Sequence, residues 1–202
     1  MGIRLSLILI EGQSTASPEQ IAKTLGFSEV YTEGKTTLDT IIYPDENVMG
    51  IGYFGRCTLV VADHDLPFSV IESDMANNYY HWQDLLSEHF AGKEMIAAFL
   101  QSTVNGYGFA YVDKEGRKVR TKLGDYEQSP MIETGEPIAA EEEYLKNSFI
   151  NDGNERIYKL DSEEYTEDQI GESIVLTLIE QFSGEDSGLL WQTEVERFSV
   201  YK

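Results

Sequence analysis

Cysteine is almost absent from this chain: Cys57 stands alone among 202 residues. That excludes an internal disulfide and a four-cysteine zinc site, and it makes the cytoplasm the simplest compartment to expect. Histidine is also scarce, with His64, His81 and His89 the full complement. His81 and His89 lie eight positions apart, about 12 Å along a helix, so a helix carrying both cannot present them to one ion. Positive charge is short as well: 15 Lys and Arg stand against 36 Asp and Glu, for a net charge of −21. A surface with that balance repels nucleic-acid phosphate and anionic lipid, so neither nucleic acid nor membrane is expected as a partner. A basic protein would be attracted and steered in.

Long apolar runs are missing too. The strongest, Leu5 to Ile10, is far too short to cross a bilayer, and no multiply charged segment or small-residue cleavage site accompanies it. It reads as a buried strand. Five prolines and the lack of a polar linker, repeat or heptad pattern favour one domain over 1–202. A sub-boundary near 125 is the alternative, because residues 125–172 hold fifteen acids and three bases.

Hydrophobic residues make up 41% of the chain, enough for a sizeable core. Ser17-Pro18-Glu19-Gln20 reads as a capping box opening a short helix, with Ile21 and Leu25 on its apolar face and Gly26 ending it. Phe27 to Thr32 and Thr36 to Tyr43 read as two strands joined by a turn at Glu33-Gly34-Lys35. Val48 to Phe54 and Cys57 to Ala62 make a second pair. Residues 77–90 have helical spacing. Met95 to Asn105 reads as strand because Asn105-Gly106 follows, and with Gly108 to Val112 and Arg117 to Leu123 it predicts a three-stranded meander over about 96–123. Loops and a short helix near Glu141 to Phe149 follow. Thr166 to Gln169 is a second capping box, opening a helix through Phe182, and Glu194 to Tyr201 is a final strand. The expected class is α+β, a mostly antiparallel sheet with three to four helices.

Gly50-Ile51-Gly52-Tyr53-Phe54-Gly55 matches G-x-G-x-x-G, but a strand follows where dinucleotide binding needs a helix start, so it reads as a glycine-rich turn. Neither a phosphate-binding P-loop nor a nucleophile elbow occurs. Cys57, among Thr58, Leu59 and Val60, reads as a small core residue. Asp63-His64-Asp65 places an imidazole between carboxylates, which reads as a solvated turn or, alternatively, as an acid–base fragment. No catalytic set, metal or cofactor is expected. Lys118, Arg120 and Lys122 alternate on a strand within a stretch, 114–122, that carries five of the chain's bases. They form a cationic row that could meet an anionic ligand or partner, or simply pair with the acidic 125–172 segment.

Three groups of residues carry a resemblance. They are Gly52-Tyr53-Phe54-Gly55 with Leu59-Val60-Val61 and Asp63; Gly108-Phe109-Ala110-Tyr111 with Gly116-Arg117 and Val119-Arg120; and Gly135-Glu136-Pro137-Ile138. Across about 48–66 and 96–144 the chain resembles an uncharacterised bacterial domain-of-unknown-function family. The resemblance implies a fold of turns and strand cores and brings no catalytic residues.

From the sequence, the expected function is a non-enzymatic protein-interaction module, such as an immunity-type antitoxin facing a basic partner. Candidate binding residues are Lys118, Arg120, Lys122, Asp63 and His64. The alternatives are a hydrolase built on a His/Asp site, and a sensor of a small anionic ligand.

Overall fold

A computed structural model describes residues 3–25, 27, 29–41, 48–62 and 90–201, with the side chains of the last two left out. Gly26, Asp63, His64, His81, His89 and, but for its last residue, the helix expected over 77–90 lie outside the described residues.

The chain is an α+β protein. In chain order its strands are β1 (Arg4–Glu11), β2 (Glu29–Thr37), β3 (Val48–Phe54), β4 (Cys57–Val61), β5 (Met95–Gln101), β6 (Gly106–Val112), β7 (Lys118–Gly124), β8 (Ile132–Gly135), β9 (Ser148–Ile150), β10 (Arg156–Leu160), β11 (Glu163–Tyr165) and β12 (Glu194–Tyr201). The described α-helices are α1 (Pro18–Thr24), α2 (Ala139–Lys146) and α3 (Glu167–Ser183). Nine strands form one sheet in the order β2-β12-β3-β4-β1-β5-β6-β7-β8, and β11-β10-β9 form a small second sheet. Every pairing within both sheets is antiparallel.

The central strands are apolar on both faces, and this explains their nearly unbroken hydrophobic runs. Leu5, Leu7 and Leu9 of β1 join a core with Ile170, Ile174, Leu178 and Phe182 of α3. Ile8 and Ile10 point the other way, into a second core with Ile21, Ala22 and Leu25 around α1. The fourfold spacing on α3 thus marks the stripe that lies on the sheet. Gln169 accepts from the Thr166 backbone N–H at the start of α3, and Gly184, at φ 74°, ends it. Similarly, Ser17 and Gln20 exchange hydrogen bonds at the start of α1.

The meander forms as β5-β6-β7, joined to β1 on one side and to β8 on the other. Asn105 takes the left-handed conformation at φ 48°, closing a 3-10 turn over Ser102–Val104 rather than a two-residue hairpin. Gly50 and Gly52 sit inside β3, where an added Cβ would lie 2.2 Å from Ile41 Cδ1 and 2.6 Å from the Glu194 carbonyl oxygen. Close packing of Ile41 and of β12, with a turn at Gly55, accounts for this glycine pattern.

Two expectations need correction. The hairpin at Glu33-Gly34-Lys35 is absent: Glu29–Thr37 is one strand along β12. Register shifts there between Arg197, opposite Gly34, and Phe198, opposite Thr32. Glu33 is therefore the extra residue of a bulge, and Gly34 supplies its φ of 96°. The 125–172 segment is also more ordered than loops and a helix, since it builds β8 to β11 as well as α2.

Candidate functional site

β7 carries the cationic row, and its pairing decides where each side chain goes. Arg120 lies opposite Tyr111, and Lys122 lies opposite Phe109. Phe109 belongs to the core under α3, so this is the inner face of the sheet there. The register then shifts, leaving Lys118 opposite Val112, whose side chain belongs to the other core. A single bulge thus separates Lys118 from the two cations that strict alternation would group with it.

Arg120 and Lys122 are 1% and 2% exposed. Burying two cations is costly unless carboxylates and hydrogen bonds meet them. Here they do. Arg120 Nε donates to Glu141 Oε2 at 2.8 Å, and Nη2 donates to Glu141 Oε1 at 2.5 Å and to Glu133 Oε1 at 2.6 Å. Its Nη1 donates to the Gly135 carbonyl at 2.8 Å. Lys122 Nζ makes a short contact with Glu167 Oε1 and lies 3.5 Å from Glu141 Oε1. Glu141 is 1% exposed and Glu133 43% exposed, so the network runs from the core to the surface.

Both deeply buried carboxylates sit in the first turn of a helix. Glu141 also accepts from the Ile138 backbone N–H at 3.1 Å, and Glu167 is the first residue of α3. The positive end of each helix dipole favours a negative charge at these positions. Two tyrosines complete the cluster. Tyr107 donates to Glu167 Oε1 and Tyr158 to Glu167 Oε2, each at 3.2 Å, and the Ser129 hydroxyl lies 2.8 Å from the Tyr107 hydroxyl.

Burial pushes the Arg120 guanidinium down, but its hydrogen bonds to Glu141 and Glu133 outweigh this and hold it above its ordinary value. Burial pushes Glu133 up, yet the Arg120 hydrogen bond and the nearby Lys122, Arg120 and Arg156 charges bring its carboxyl below the usual range. The Tyr107 and Tyr158 phenols are pushed up, first by burial and then by the Glu167 charge.

Those two tyrosines predict an alkaline limit. Their folded pKa lies above the unfolded value of about 10. Their contribution to stability is therefore intact below that pH and falls as pH rises beyond it. In an alkaline titration, part of the tyrosinate absorbance should appear together with loss of the circular dichroism signal. Complete ionisation of the tyrosines near pH 10 with the fold intact would contradict the burial of these phenols.

Above the network lies a pocket of about 500 Å³. Its wall includes the carboxylates of Glu127, Glu133, Glu155, Glu167 and Asp168 against one cation, Arg156, with Tyr126 and Ile150 also on the lining. Tyr126 and Ile150 are 61% and 51% exposed. Glu133 and Glu167 belong to both network and pocket, so the buried cations are neutralised from a wall that remains acidic. Taken together, six carboxylates face three cations.

The sequence therefore located Arg120 and Lys122 but not their direction, and the structure separates Lys118 from them. Asp63 and His64 lie outside the described residues. Sequence reasoning did not single out Glu133, Glu167 and Tyr158 as cluster members. The capping box at 166–169 and the short helix expected near Glu141 placed acids near helix starts, but nothing local aimed them at β7. Cys57 is buried, and burial pushes its thiol up to about 11, which opposes a role as nucleophile. No helix among the described residues is long and apolar enough to cross a membrane, and none of their His, Cys, Asp and Glu groups has metal-binding geometry. No family model, curated protein or solved structure matches the chain.

Proposed function

We propose that this chain is a cytoplasmic, non-enzymatic recognition module that binds a basic protein, in the manner of an immunity-type antitoxin masking a cationic surface. One observation carries the reading. Arg120 and Lys122 of β7 are turned inward and neutralised, while the pocket above them keeps an excess of carboxylate around Tyr126 and Ile150. A lysine or arginine from a partner suits such a wall. Its charge meets Glu127, Glu155 and Asp168, and its aliphatic stem or guanidinium plane packs on the exposed tyrosine and isoleucine. The overall charge of −21 adds steering over longer range.

Glu127 and Glu155 are exposed and lie outside the buried network, so they can be reversed without disturbing it. Wild type should capture a basic protein at low salt and release it at high salt. Glu127→Lys with Glu155→Lys should slow association with that protein at least about tenfold at low salt, with melting unchanged. Capture that is indifferent to salt and to this double reversal would contradict the proposal.

A further inference from the structure

A second cavity, of about 340 Å³, lies between the start of α2, the last turns of α3 and the inner face of the sheet. It shares no lining residue with the acidic pocket. Its wall is mainly apolar, from Ile138, Leu178, Phe182 and the ring of Tyr111. Tyr111 and Phe182 meet edge to face, with ring centres 6.1 Å apart, so this floor is fixed.

Two opposite charges, Arg56 and Glu94, face the same cavity. Each is held by a neighbour. Arg56 donates from Nε to the Phe182 carbonyl at 2.9 Å and from Nη2 to the Gln181 carbonyl at 3.3 Å, at the end of α3. Glu94 Oε2 accepts from the Tyr111 hydroxyl at 2.8 Å. These bonds leave Nη1 of Arg56 and Oε1 of Glu94 for other partners. Among the described residues the two charges do not pair with each other or with a third ion. In the buried network of β7, by contrast, Arg120 and Lys122 are both matched by carboxylates. A rigid apolar floor with two unspent opposite charges on its wall describes a ligand site of the smaller kind.

We infer that this cavity binds a small zwitterion with an aromatic or bulky apolar body, its carboxylate on Arg56 and its ammonium on Glu94. An anion alone would meet Glu94 and the chain's net negative charge. A cation alone would meet Arg56. A molecule carrying both charges satisfies the wall and lays its apolar body on Leu178, Phe182 and Tyr111.

Three probes separate the parts: L-phenylalanine, phenethylamine without the carboxylate, and hydrocinnamate without the ammonium. Titration followed by calorimetry and by backbone amide shifts should show phenylalanine binding at least about tenfold more tightly than either fragment, with the shifts centred on Tyr111, Leu178 and Phe182. Glu94→Gln keeps an acceptor for Tyr111 and should remove the advantage of phenylalanine over hydrocinnamate. Arg56→Gln should remove its advantage over phenethylamine. No saturation by any probe at roughly millimolar concentration, or shifts centred elsewhere, would overturn the inference. So would an affinity order unaffected by both substitutions. Basic-protein capture is measured separately and at other residues, so either idea can fail without the other.

Discussion

Glu141→Ala is expected to destabilise the fold by about 3–5 kcal/mol, the range for removing one member of a buried ion pair. Against a total stability of about 5–15 kcal/mol for a domain, that is a large fraction. The reason lies in what remains. Arg120 would lose two of its hydrogen bonds and keep Glu133, which is 43% exposed and so a weaker, better-solvated partner. Lys122 would keep Glu167 but lose the carboxylate 3.5 Å away. The Ile138 backbone N–H would lose its side-chain acceptor, uncapping α2. Urea unfolding should show a lower midpoint at unchanged slope. Replacing the four buried members together, Arg120→Met and Lys122→Met with Glu141→Leu and Glu167→Gln, should cost much less, because no buried charge is stranded. A loss below about 1 kcal/mol for Glu141→Ala would mean that water reaches these cations.

Gly171→Ala is the second large effect, and its direction opposes helix propensity. In an exposed helix, alanine in place of glycine gains about 1 kcal/mol. At position 171 the new Cβ would sit 2.2 Å from two ring atoms of Tyr107. Tyr107 has little room to retreat, since its hydroxyl is bonded to Glu167 and Ser129. The outcome is either a displaced α3 or a broken network, and overpacking of this kind costs about 1–3 kcal/mol. Set against the propensity gain, the net change expected is destabilising by up to about 2 kcal/mol. Tyr107→Ala opens the space, so the double variant should be more stable than the sum of the single losses implies. A melting temperature raised by Gly171→Ala would show that α3 does not lie so close to β6.

The sequence disclosed most where local chemistry and long-range pairing agree. The capping box at Thr166 and the fourfold apolar spacing after it fixed α3, because helix ends and faces are written within a few residues. The run from Met95 to Val112 gave two strands of the meander for the same reason. Glu33-Gly34-Lys35 misled because a glycine with positive φ serves a bulge as well as a turn. Only the pairing with β12, more than 150 positions away, distinguishes them.

The candidate site shows the same division. Alternation at 118, 120 and 122 was legible, and so was pairing with the acidic 125–172 segment, but burial was not, since a lone buried cation is costly. What makes burial possible is remote. Glu141 comes from α2 and Glu167 from α3, each aimed at β7 by packing that no local window contains. The bulge that removes Lys118 from the row is equally silent.

Amine-reactive labelling of the native protein, read by mass spectrometry, tests the central claim most directly. Lys122, with its side chain 2% exposed and held between Glu141 and Glu167, should stay unmodified until the protein unfolds, while Lys159 and Lys146, 57% and 74% exposed, react at once. Modification of Lys122 in the folded protein as fast as Lys159 would contradict the inward, neutralised cations on which the account of an acidic recognition surface rests.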